Sequence, residues 1–275
     1  MKFKLLSGDF MWLKDMFGVN KPVIAMIHFG PLPGSPFYDQ ELEKTLERAV
    51  ADAKALQRGG VDGVLFSNEG DRPYSFKVGA ETVASATSLV TKVSEELSIP
   101  YGVDILWDPF ATFAVGKATN AKFVRTLLAG SIVSDIGLIN VESSEVLKYV
   151  KFINAEGIKR FVYLNPEFGT SLGNRPIESV AKTVAFMSIA DVLCVSGPAT
   201  GLPLRVEDLK SAKKGAPQLP VFINTGARKE NISDFLPYAD GVIVGTALKK
   251  DGMTWNPVDE KRVLEFMKVV KKLRE

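Results

Sequence analysis

Short apolar runs and longer helical patterns alternate eight times along the chain from Pro22 onward. The apolar runs are rich in β-branched residues, and such runs are typical of parallel strands that are covered on both faces. We therefore predict strands at 23–29, 63–68, 101–106, 122–127, 160–164, 191–196, 220–224 and 241–245. Apolar residues at helical spacing predict helices at 41–58, 78–97, 110–118, 143–154, 176–189, 205–214, 230–236 and 258–273.

Eight strand–helix units without a linker predict an α/β fold, a (β/α)8 TIM barrel, as a single domain over residues 1–275. The competing fold is a doubly wound open sheet. It is disfavoured because no G-x-G-x-x-G motif follows the first strand, and because eight units favour closure. Residues 10–18 (F-M-W-L-K-D-M-F-G) predict an extra N-terminal helix that ends at Gly18 and covers the bottom of the barrel.

The charge and the rare residue types exclude several classes of protein. The chain has 34 Lys and Arg against 32 Asp and Glu, and a net charge of +2 gives no basis for a nucleic-acid partner. The single cysteine, Cys194, excludes an intrachain disulfide framework, and the single histidine, His28, excludes metal sites built on two or more His. Both observations suit a reducing cytoplasm, which is the location we expect.

Two further observations bear on the location of the protein. The N-terminus, M-K-F-K-L-L-S-G-D-F, breaks at Ser7, Gly8 and Asp9 before an apolar run of signal-peptide length forms. No stretch of the sequence approaches the roughly 18 apolar residues that a membrane span needs. We therefore expect neither a secretion signal nor membrane insertion.

Four connections between a strand and the next helix exceed the length of about two to six residues that is usual in such units. They lie at 30–40, 69–77, 128–142 and 165–175, on the same rim of the predicted barrel. Because barrel enzymes place their working groups at the carboxyl ends of the strands, the polar residues there are candidates for chemistry. They are His28, Asn68, Glu69, Asp71, Asp104, Asp108, Arg125, Asp135, Asn165, Glu167, Ser196, Asn224 and Thr225.

The seventh and eighth predicted strands each end in a turn of small residues, P-V-F-I-N-T-G-A at 220–227 and G-V-I-V-G-T-A-L at 241–248. Loops at these positions of a barrel commonly bind a phosphate through backbone N–H groups and the amino end of a helix. The alternative is that the glycines only permit tight turns. We predict a phosphate site formed by Asn224, Thr225, Gly226, Gly245 and Thr246.

His28 and three carboxylates are candidates for proton transfer. His28 ends the first strand and could act as a general acid or base, although a lone His is as often a hydrogen-bonded core residue. Glu69 and Asp71 follow the second strand, and Asp104 lies within the third. They could divide into acid and base, bind Mg2+ beside a substrate phosphate, or form only a salt-bridge network at the rim.

Arg125 lies on the fourth strand, and Asp135 lies in the S-D-I-G segment of the long loop that follows. An arginine there suits a planar anion such as a carboxylate or a second phosphate, and pairing with Asp104 or Asp135 is the alternative. Cys194 has apolar neighbours, which indicates a core residue. No lysine falls at the carboxyl end of a strand, which disfavours a Schiff-base aldolase.

Several ordered blocks of the chain, spread over about residues 10–273, resemble the BtpA family, which includes SgcQ-like proteins. The resemblance is carried by K-P-V-I-A-M-I-H-F-G-P-L-P-G-S-P-F-Y (21–38), G-V-D-G-V-L-F-S-N-E-G-D-R-P-Y (60–74), K-V-G-A-E-T-V-A-S (77–85), S-D-I-G-L-I (134–139), T-G-L-P (200–203) and A-D-G-V-I-V-G-T-A-L-K-K-D-G (239–252). The family is similar to the ribulose-phosphate-binding barrels. Its name comes from a member implicated in photosystem I biogenesis, whereas SgcQ-like members are associated with sugar-uptake gene sets.

The resemblance implies a set of site residues and exposes a difference. The implied residues are His28, the block from Asn68 to Asp71, Asp104, Arg125, Asp135 and the two glycine turns. At the end of the fifth strand, where a basic V-K-H-like segment is expected from the family, the chain has Y-L-N-P-E-F (163–168). Asn165 or Glu167 is the candidate for the missing role, so the chemistry can differ from that of relatives or be absent.

The leading hypothesis is an enzyme that acts on a small phosphorylated metabolite, either a phosphosugar or a nucleotide-derived ribosyl phosphate, as an isomerase or lyase. His28 or Glu69 would move a proton, and Arg125 with Asn165 would stabilise developing charge. The rivals are a non-catalytic biogenesis or assembly factor and a phosphate-ligand-binding barrel. An enzyme needs clustered ionisable groups at the strand ends, whereas an assembly factor needs a contiguous exposed apolar patch. A homo-oligomer is compatible with each hypothesis.

Overall fold

The computed structural model describes residues 10–197 and 204–274. The strands within this part of the chain are β1 (Val23–His28), β2 (Gly63–Ser67), β3 (Tyr101–Asp104), β4 (Phe123–Thr126), β5 (Ser131–Ser134), β6 (Gly137–Asn140), β7 (Lys159–Tyr163), β8 (Gly169–Ser171), β9 (Val192–Val195), β10 (Val221–Ile223) and β11 (Gly241–Val244). Eight of them form a closed parallel barrel in the order β1-β2-β3-β4-β7-β9-β10-β11. The predicted (β/α)8 barrel is confirmed.

The helices that pack around the barrel alternate with its strands. They are α1 (Met11–Phe17), α2 (Leu42–Arg58), α3 (Ala80–Ser94), α4 (Pro109–Ala118), α5 (Ser143–Phe152), α6 (Ile177–Phe186), α7 (Val206–Gly215), α8 (Ile232–Phe235) and α9 (Glu260–Arg274). Short 3-10 turns at Leu236–Tyr238, Thr246–Leu248 and Lys250–Gly252 complete the units after β10 and β11. The helix predicted at 230–236 is therefore mostly a single turn. No helix in the described residues is both long and apolar enough to cross a membrane.

Aromatic side chains fill the bottom of the barrel. Phe123, Phe161 and Phe222 are fully buried; the Phe161 ring lies tilted against Phe123 at a centroid distance of 4.7 Å and meets Phe222 edge-on at 5.2 Å. Gly102 and Gly241 leave the room for them, because a Cβ atom at either position would lie 2.3 Å from a phenylalanine ring. Dense packing of this kind makes the lower barrel a core and not a channel.

The predicted N-terminal helix α1 covers this bottom layer. Leu13 and Phe17 are buried, and the Phe17 ring meets the Phe123 ring edge-on at 5.8 Å. Gly18 ends the helix in the left-handed conformation, at φ 75°, and its N–H donates to the carbonyl of Lys14. The glycine at this position is favoured because other residues adopt a positive φ only at a cost.

A second sheet lies at the upper rim, where the sequence predicts only long connections. Strands β5 and β6 form a hairpin within 128–142, and β8, within 165–175, pairs antiparallel with the other edge of β5. We call β6, β5 and β8 the accessory sheet. Its strands have only three or four residues each, and the pairing of Ile132 with Ser171 joins segments that are distant in sequence. The accessory sheet therefore has no local sequence pattern that predicts it.

Two segments that bear on the predictions fall wholly or mostly outside the described residues. The prediction of no secretion signal falls on the first ten residues, of which 1–9 are outside the described part, and the T-G-L-P block at 200–203 is outside it as well. The assignment of residues 1–275 to a single domain also stays a prediction.

Candidate active site

A cavity of about 470 Å³ opens at the carboxyl end of the barrel strands. This volume lies within the range of about 300–1,000 Å³ that is typical of small-molecule sites. The cavity brings together residues from β1, β2, β4, β10 and β11 that are far apart in sequence. The predicted site residues that line it are His28, Glu69, Arg125, Glu167, Asn224, Thr225, Gly226, Gly245 and Thr246.

The turn after β10 forms part of the cavity wall. Gly226 has a φ of 76°, a conformation that favours glycine. Asn231 holds the turn from outside: its Nδ2 donates to the Gly226 carbonyl at 2.9 Å, and its Oδ1 accepts from the Arg228 N–H at 2.7 Å. The turn is thereby fixed before any ligand binds.

The turn after β11 approaches β1 closely. A Cβ atom on Gly245 would lie 3.1 Å from Met26 and 3.2 Å from His28, so the glycine permits this contact. Beside it, the hydroxyls of Thr246 and Thr254 are hydrogen-bonded at 2.8 Å. The expected amino end of an α-helix is absent from both turns: α8 begins only at Ile232, and Thr246–Leu248 is a 3-10 turn. Backbone and side chains of the turns themselves line the cavity.

Three basic residues that the sequence reasoning missed lie on the same side of the cavity: Arg228, Lys229 and Arg262. The Nε of Arg262 donates to the Ala247 carbonyl at 2.9 Å, which places this helix α9 residue beside the turn after β11. Arg228 and Lys229 directly follow the G-A of the turn after β10, a signal that was available in the sequence. Lys229 is ion-paired with Glu265, which also lines the cavity, at 2.8 Å. Arg228 and Arg262 next to the glycine turns suit a phosphate.

Arg125 anchors a buried polar network at the floor of the cavity. Its Nε donates to Asp104 at 2.7 Å, its Nη1 donates to Asn224 at 3.1 Å, and the Tyr163 hydroxyl donates to Asp104 at 2.8 Å. Burial alone would lower the pKa of Arg125. Tyr163 and Asp104 outweigh this effect and raise the pKa above its usual value, so the guanidinium stays charged. Asp104 does not line the cavity, and its role in this geometry is to position Arg125.

Glu69 and His28 face each other across the cavity, with 4.0 Å between Oε2 and Nε2. Burial raises the pKa of Glu69 to about 7, assisted by the charges of Glu167 and Asp104 and opposed by Arg125. Burial also places the pKa of His28 well below its usual value, and the charge of Lys249 adds to this effect. Near pH 7 the pair therefore combines a neutral imidazole with a carboxyl group that readily gains or loses a proton.

A buried ion pair supports this side of the site, and the sequence reasoning missed it. Lys249 is fully buried, and its Nζ donates to Asp52 of α2 at 2.8 Å. The other oxygen of Asp52 accepts from the Val258 N–H at 2.7 Å. The pair ties α2 to the segment after β11. An acidic residue among Ala49, Ala53 and Leu56 on the apolar face of α2 was the available signal.

Three predicted site residues serve the surrounding structure. Asp71 accepts hydrogen bonds from the Leu32 N–H at 2.7 Å and from Asn68 at 2.8 Å, and so fixes the loop after β1. The amide of Asn165 is hydrogen-bonded to the backbone of Ser196. Asp135 is exposed in the turn of the β5–β6 hairpin. None of the three is among the residues that line the cavity.

The carboxylates proposed to hold Mg2+ do not converge. Asp71 is bonded to the loop after β1, Asp104 to Arg125 and Tyr163, and Glu69 to Tyr74. Within residues 10–197 and 204–274, no group of three or more His, Cys, Asp or Glu side chains is arranged to hold a metal ion.

Aromatic residues line the side of the cavity near β3 and β7. Trp107, Tyr163 and Phe168 all lie there, next to Leu106 and Leu127. We call these five residues the aromatic wall. Trp107 has a φ of 69° and Phe168 a φ of 58°, and left-handed backbone at a non-glycine residue costs on the order of 1–3 kcal/mol. Neither residue is predicted as a site residue, because an isolated aromatic residue in a loop carries no positional signal.

Solved structures of other proteins share this barrel fold. A solved structure of (S)-3-O-geranylgeranylglyceryl phosphate synthase from Thermoplasma acidophilum, in complex with sn-glycerol-1-phosphate, superposes with a TM-score of 0.59. The alignment covers 99% of this chain and 100% of that chain at 14% identity. At this identity the likeness shows the shared barrel fold.

Sequence relatives are much closer. The sgc region protein SgcQ of Escherichia coli (strain K12) is 40% identical over 265 residues, which cover 96% of this chain and 99% of SgcQ. The photosystem I biogenesis protein BtpA of Synechocystis sp. (strain PCC 6803) is 32% identical over 263 residues, 94% of this chain and 91% of that protein. The model of the BtpA family matches residues 19–272. The chain therefore belongs to the BtpA family.

Proposed function

We propose that the protein is an enzyme that acts on a small phosphorylated metabolite, a phosphosugar or a ribosyl phosphate, by isomerase or lyase chemistry. A single arrangement carries the proposal: the glycine turns with Arg228 and Arg262 share a cavity with the Glu69–His28 pair. A phosphate on the basic side would place the rest of the substrate over the groups that can move a proton. The sn-glycerol-1-phosphate named for the Thermoplasma structure is in keeping with such a ligand.

In this mechanism Glu69, as the carboxylate, removes a proton from a substrate carbon next to a carbonyl group. The electron pair moves onto the carbonyl oxygen, where Arg125 stabilises the negative charge. The hydrogen bonds of Arg125 to Asp104 and Asn224 use two of its five N–H groups, so its side chain retains donors for the substrate. For an isomerisation, Glu69 then returns the proton to the neighbouring carbon, and the hydroxyl proton of that carbon passes to the enolate oxygen through His28, which is held neutral, so the carbonyl group moves by one carbon.

Thermal unfolding in the presence of phosphorylated sugars, nucleotides and divalent ions tests the proposal. A ligand that binds only the folded protein raises the melting temperature with its concentration. We expect a phosphorylated compound to do so and Gly226→Asp to abolish the shift, because the new carboxylate repels phosphate. Gly18→Asp is the matched control, since Gly18 has nearly the same φ (75° against 76°) but lies at the bottom of the barrel. A folded protein that responds to no phosphorylated compound contradicts the proposal.

Catalysis needs a separate readout. With a bound ligand in D2O, NMR should show exchange of a carbon-bound proton in the wild type and little exchange in Glu69→Gln, with ligand affinity retained. Equal exchange in both proteins would exclude Glu69 as the base. Mg2+ stays a prediction, and adding MgCl2 to each assay tests it directly.

A second candidate function, that of a biogenesis or assembly factor, is favoured by a different observation. The outer face of the accessory sheet exposes apolar side chains: Val133 is 50% exposed, and Leu138 and Leu172 are each 61% exposed. Val133 and Leu138 are direct cross-strand partners. An apolar patch of this kind is typical of protein contact surfaces. If the protein is an assembly factor, the double variant Leu138→Ser with Leu172→Ser should lose its association with a partner protein. If it is an enzyme that acts alone, the same variant should retain full turnover.

A further inference from the structure

The aromatic wall and the glycine turns occupy opposite sides of the cavity mouth. The turns follow β10 and β11, which are neighbours in the barrel. Trp107 follows β3 and Leu127 follows β4, and in the closed order of eight strands β3 and β4 lie across from β10 and β11. A ligand with its phosphate at the turns would therefore extend past Arg125 and Glu69 toward the wall.

Two aromatic residues of the wall have a backbone conformation that is unfavourable for aromatic residues. Trp107 and Phe168 both have positive φ, where glycine or asparagine is more easily accommodated, and Phe168 is also 39% exposed. Neither side chain is fully buried, and both line the cavity. The backbone around them is fixed: the Leu106 N–H donates to Asn68 at 2.8 Å, and the Asp135 N–H donates to the Phe168 carbonyl at 3.1 Å. Strained residues at a cavity are typical of ligand contacts.

The accessory sheet supports the wall from behind. Its inward residues Ile132 and Ile139 are buried with Leu127, and Trp107 packs against this cluster. The ring of Phe76 meets Trp107 edge-on at 6.3 Å. The hairpin turn that contains Asp135 also carries the hydrogen bond to Phe168. The sheet thus holds apolar and aromatic side chains at the cavity before a ligand arrives.

We infer that the ligand of this cavity carries, besides its phosphate, a planar aromatic ring of the kind found in a nucleoside monophosphate, and that this ring packs on Trp107 and Phe168. The inference rests on the proposed function, since it assumes that the phosphate lies at the glycine turns. It selects ribosyl phosphates with an aromatic substituent over plain phosphosugars. Aromatic rings bind by stacking on aromatic side chains, which requires a flat and rigid surface.

Isothermal titration with ribose 5-phosphate, AMP, UMP and adenosine tests the inference on the full-length protein. We expect AMP or UMP to bind at least about fivefold more tightly than ribose 5-phosphate, because stacking of a base on an aromatic side chain contributes at least about that factor. Trp107→Ala and Phe168→Ala should each reduce this preference while leaving the Kd of ribose 5-phosphate within about twofold. Phe152→Ala, at a helix residue that is 82% exposed and does not line the cavity, is the control.

The outcomes separate the inference from the proposed function. If ribose 5-phosphate binds and neither nucleotide binds more tightly, the ligand has no aromatic ring and the inference alone is overturned. A nucleotide preference that survives in both Trp107→Ala and Phe168→Ala also overturns it. Should none of the phosphates bind to the folded wild type, the phosphate site fails and both proposals fall. Two variants are used because loss of folding in one leaves the other as the test.

Discussion

Replacing Glu69 with glutamine keeps the shape of the side chain and removes its titration. The pKa of Glu69 is raised from 4.5 to about 7, chiefly by burial, and the side chain is 17% exposed. A carboxyl group with a raised pKa contributes its full stability below pH 4.5, where it is protonated in both states. That stability is lost as the pH rises toward 7, because the unfolded chain gives up the proton more readily.

The magnitude follows from the difference in pKa. One unit corresponds to about 1.36 kcal/mol, and linkage between pKa values of 4.5 and about 7 gives a loss of about 2.5 kcal/mol between pH 5 and pH 8. Glu69→Gln should remove this loss. The free energy of unfolding of the variant, relative to that of the wild type, should therefore be about 2.5 kcal/mol more favourable at pH 8 than at pH 5.

Urea denaturation of both proteins at pH 5, 6, 7 and 8 measures the effect. Using the difference between variant and wild type cancels the contributions of other titrating groups, including Asp71, whose pKa is raised to about 6 by burial. Glu156→Gln is the control, because Glu156 is exposed and far from the cavity. If the pH dependence of Glu69→Gln matched that of the wild type, Glu69 would titrate normally, and its assignment as the proton-transfer group would lose its physical basis.

Three further substitutions test the framework around the site. Lys249→Met leaves Asp52 buried without its partner, so the free energy of unfolding measured in urea should fall by about 3–5 kcal/mol. Adding Asp52→Asn should recover part of this loss, and an unchanged free energy of unfolding in Lys249→Met would exclude a stabilising ion pair. Asn231→Ala removes two hydrogen bonds from the turn at Gly226, so the free energy of unfolding should fall by about 1–3 kcal/mol. Calorimetry should also show weaker phosphate binding, and an unchanged affinity would mean that the turn does not hold the phosphate. Phe161→Ala should cost about 3–5 kcal/mol in thermal or urea unfolding and leave ligand affinity unchanged, and an equal loss of affinity would contradict the separation of core from site.

The barrel was predictable because its signal is periodic and repeated. Each barrel strand overlaps a predicted apolar run, and α2 begins and ends within one residue of the predicted 41–58. Eight repetitions compensate for uncertainty in any one unit. The accessory sheet has no such redundancy, since its strands are short and pair over a long sequence separation, as with Ile132 and Ser171. Its existence depends on tertiary contacts that no local pattern contains.

The site was predictable in position and less so in detail. Strand ends identified His28, Glu69 and Arg125, because the topology of a barrel brings every strand end to the same rim. The contributions of Arg262 from α9 and of Trp107 from a strained loop follow from packing, so the sequence alone could not place them. Asp135 was selected on resemblance and a loop position, and the structure puts its side chain in solvent.

The three carboxylates at the first strand ends show why environment, and not residue type, assigns the roles. Asp104 accepts hydrogen bonds from Arg125 and Tyr163, and Asp71 accepts from a backbone N–H and an amide, so each has partners that fix it in place. Glu69 instead faces Tyr74 and His28, both uncharged near pH 7. Of the three, Glu69 is the carboxylate that lines the cavity, and its pKa is raised to about 7, whereas Asp71, with a pKa raised to about 6, does not line the cavity. Proton transfer needs a group that can change its charge, and in this barrel the surroundings leave that freedom to Glu69.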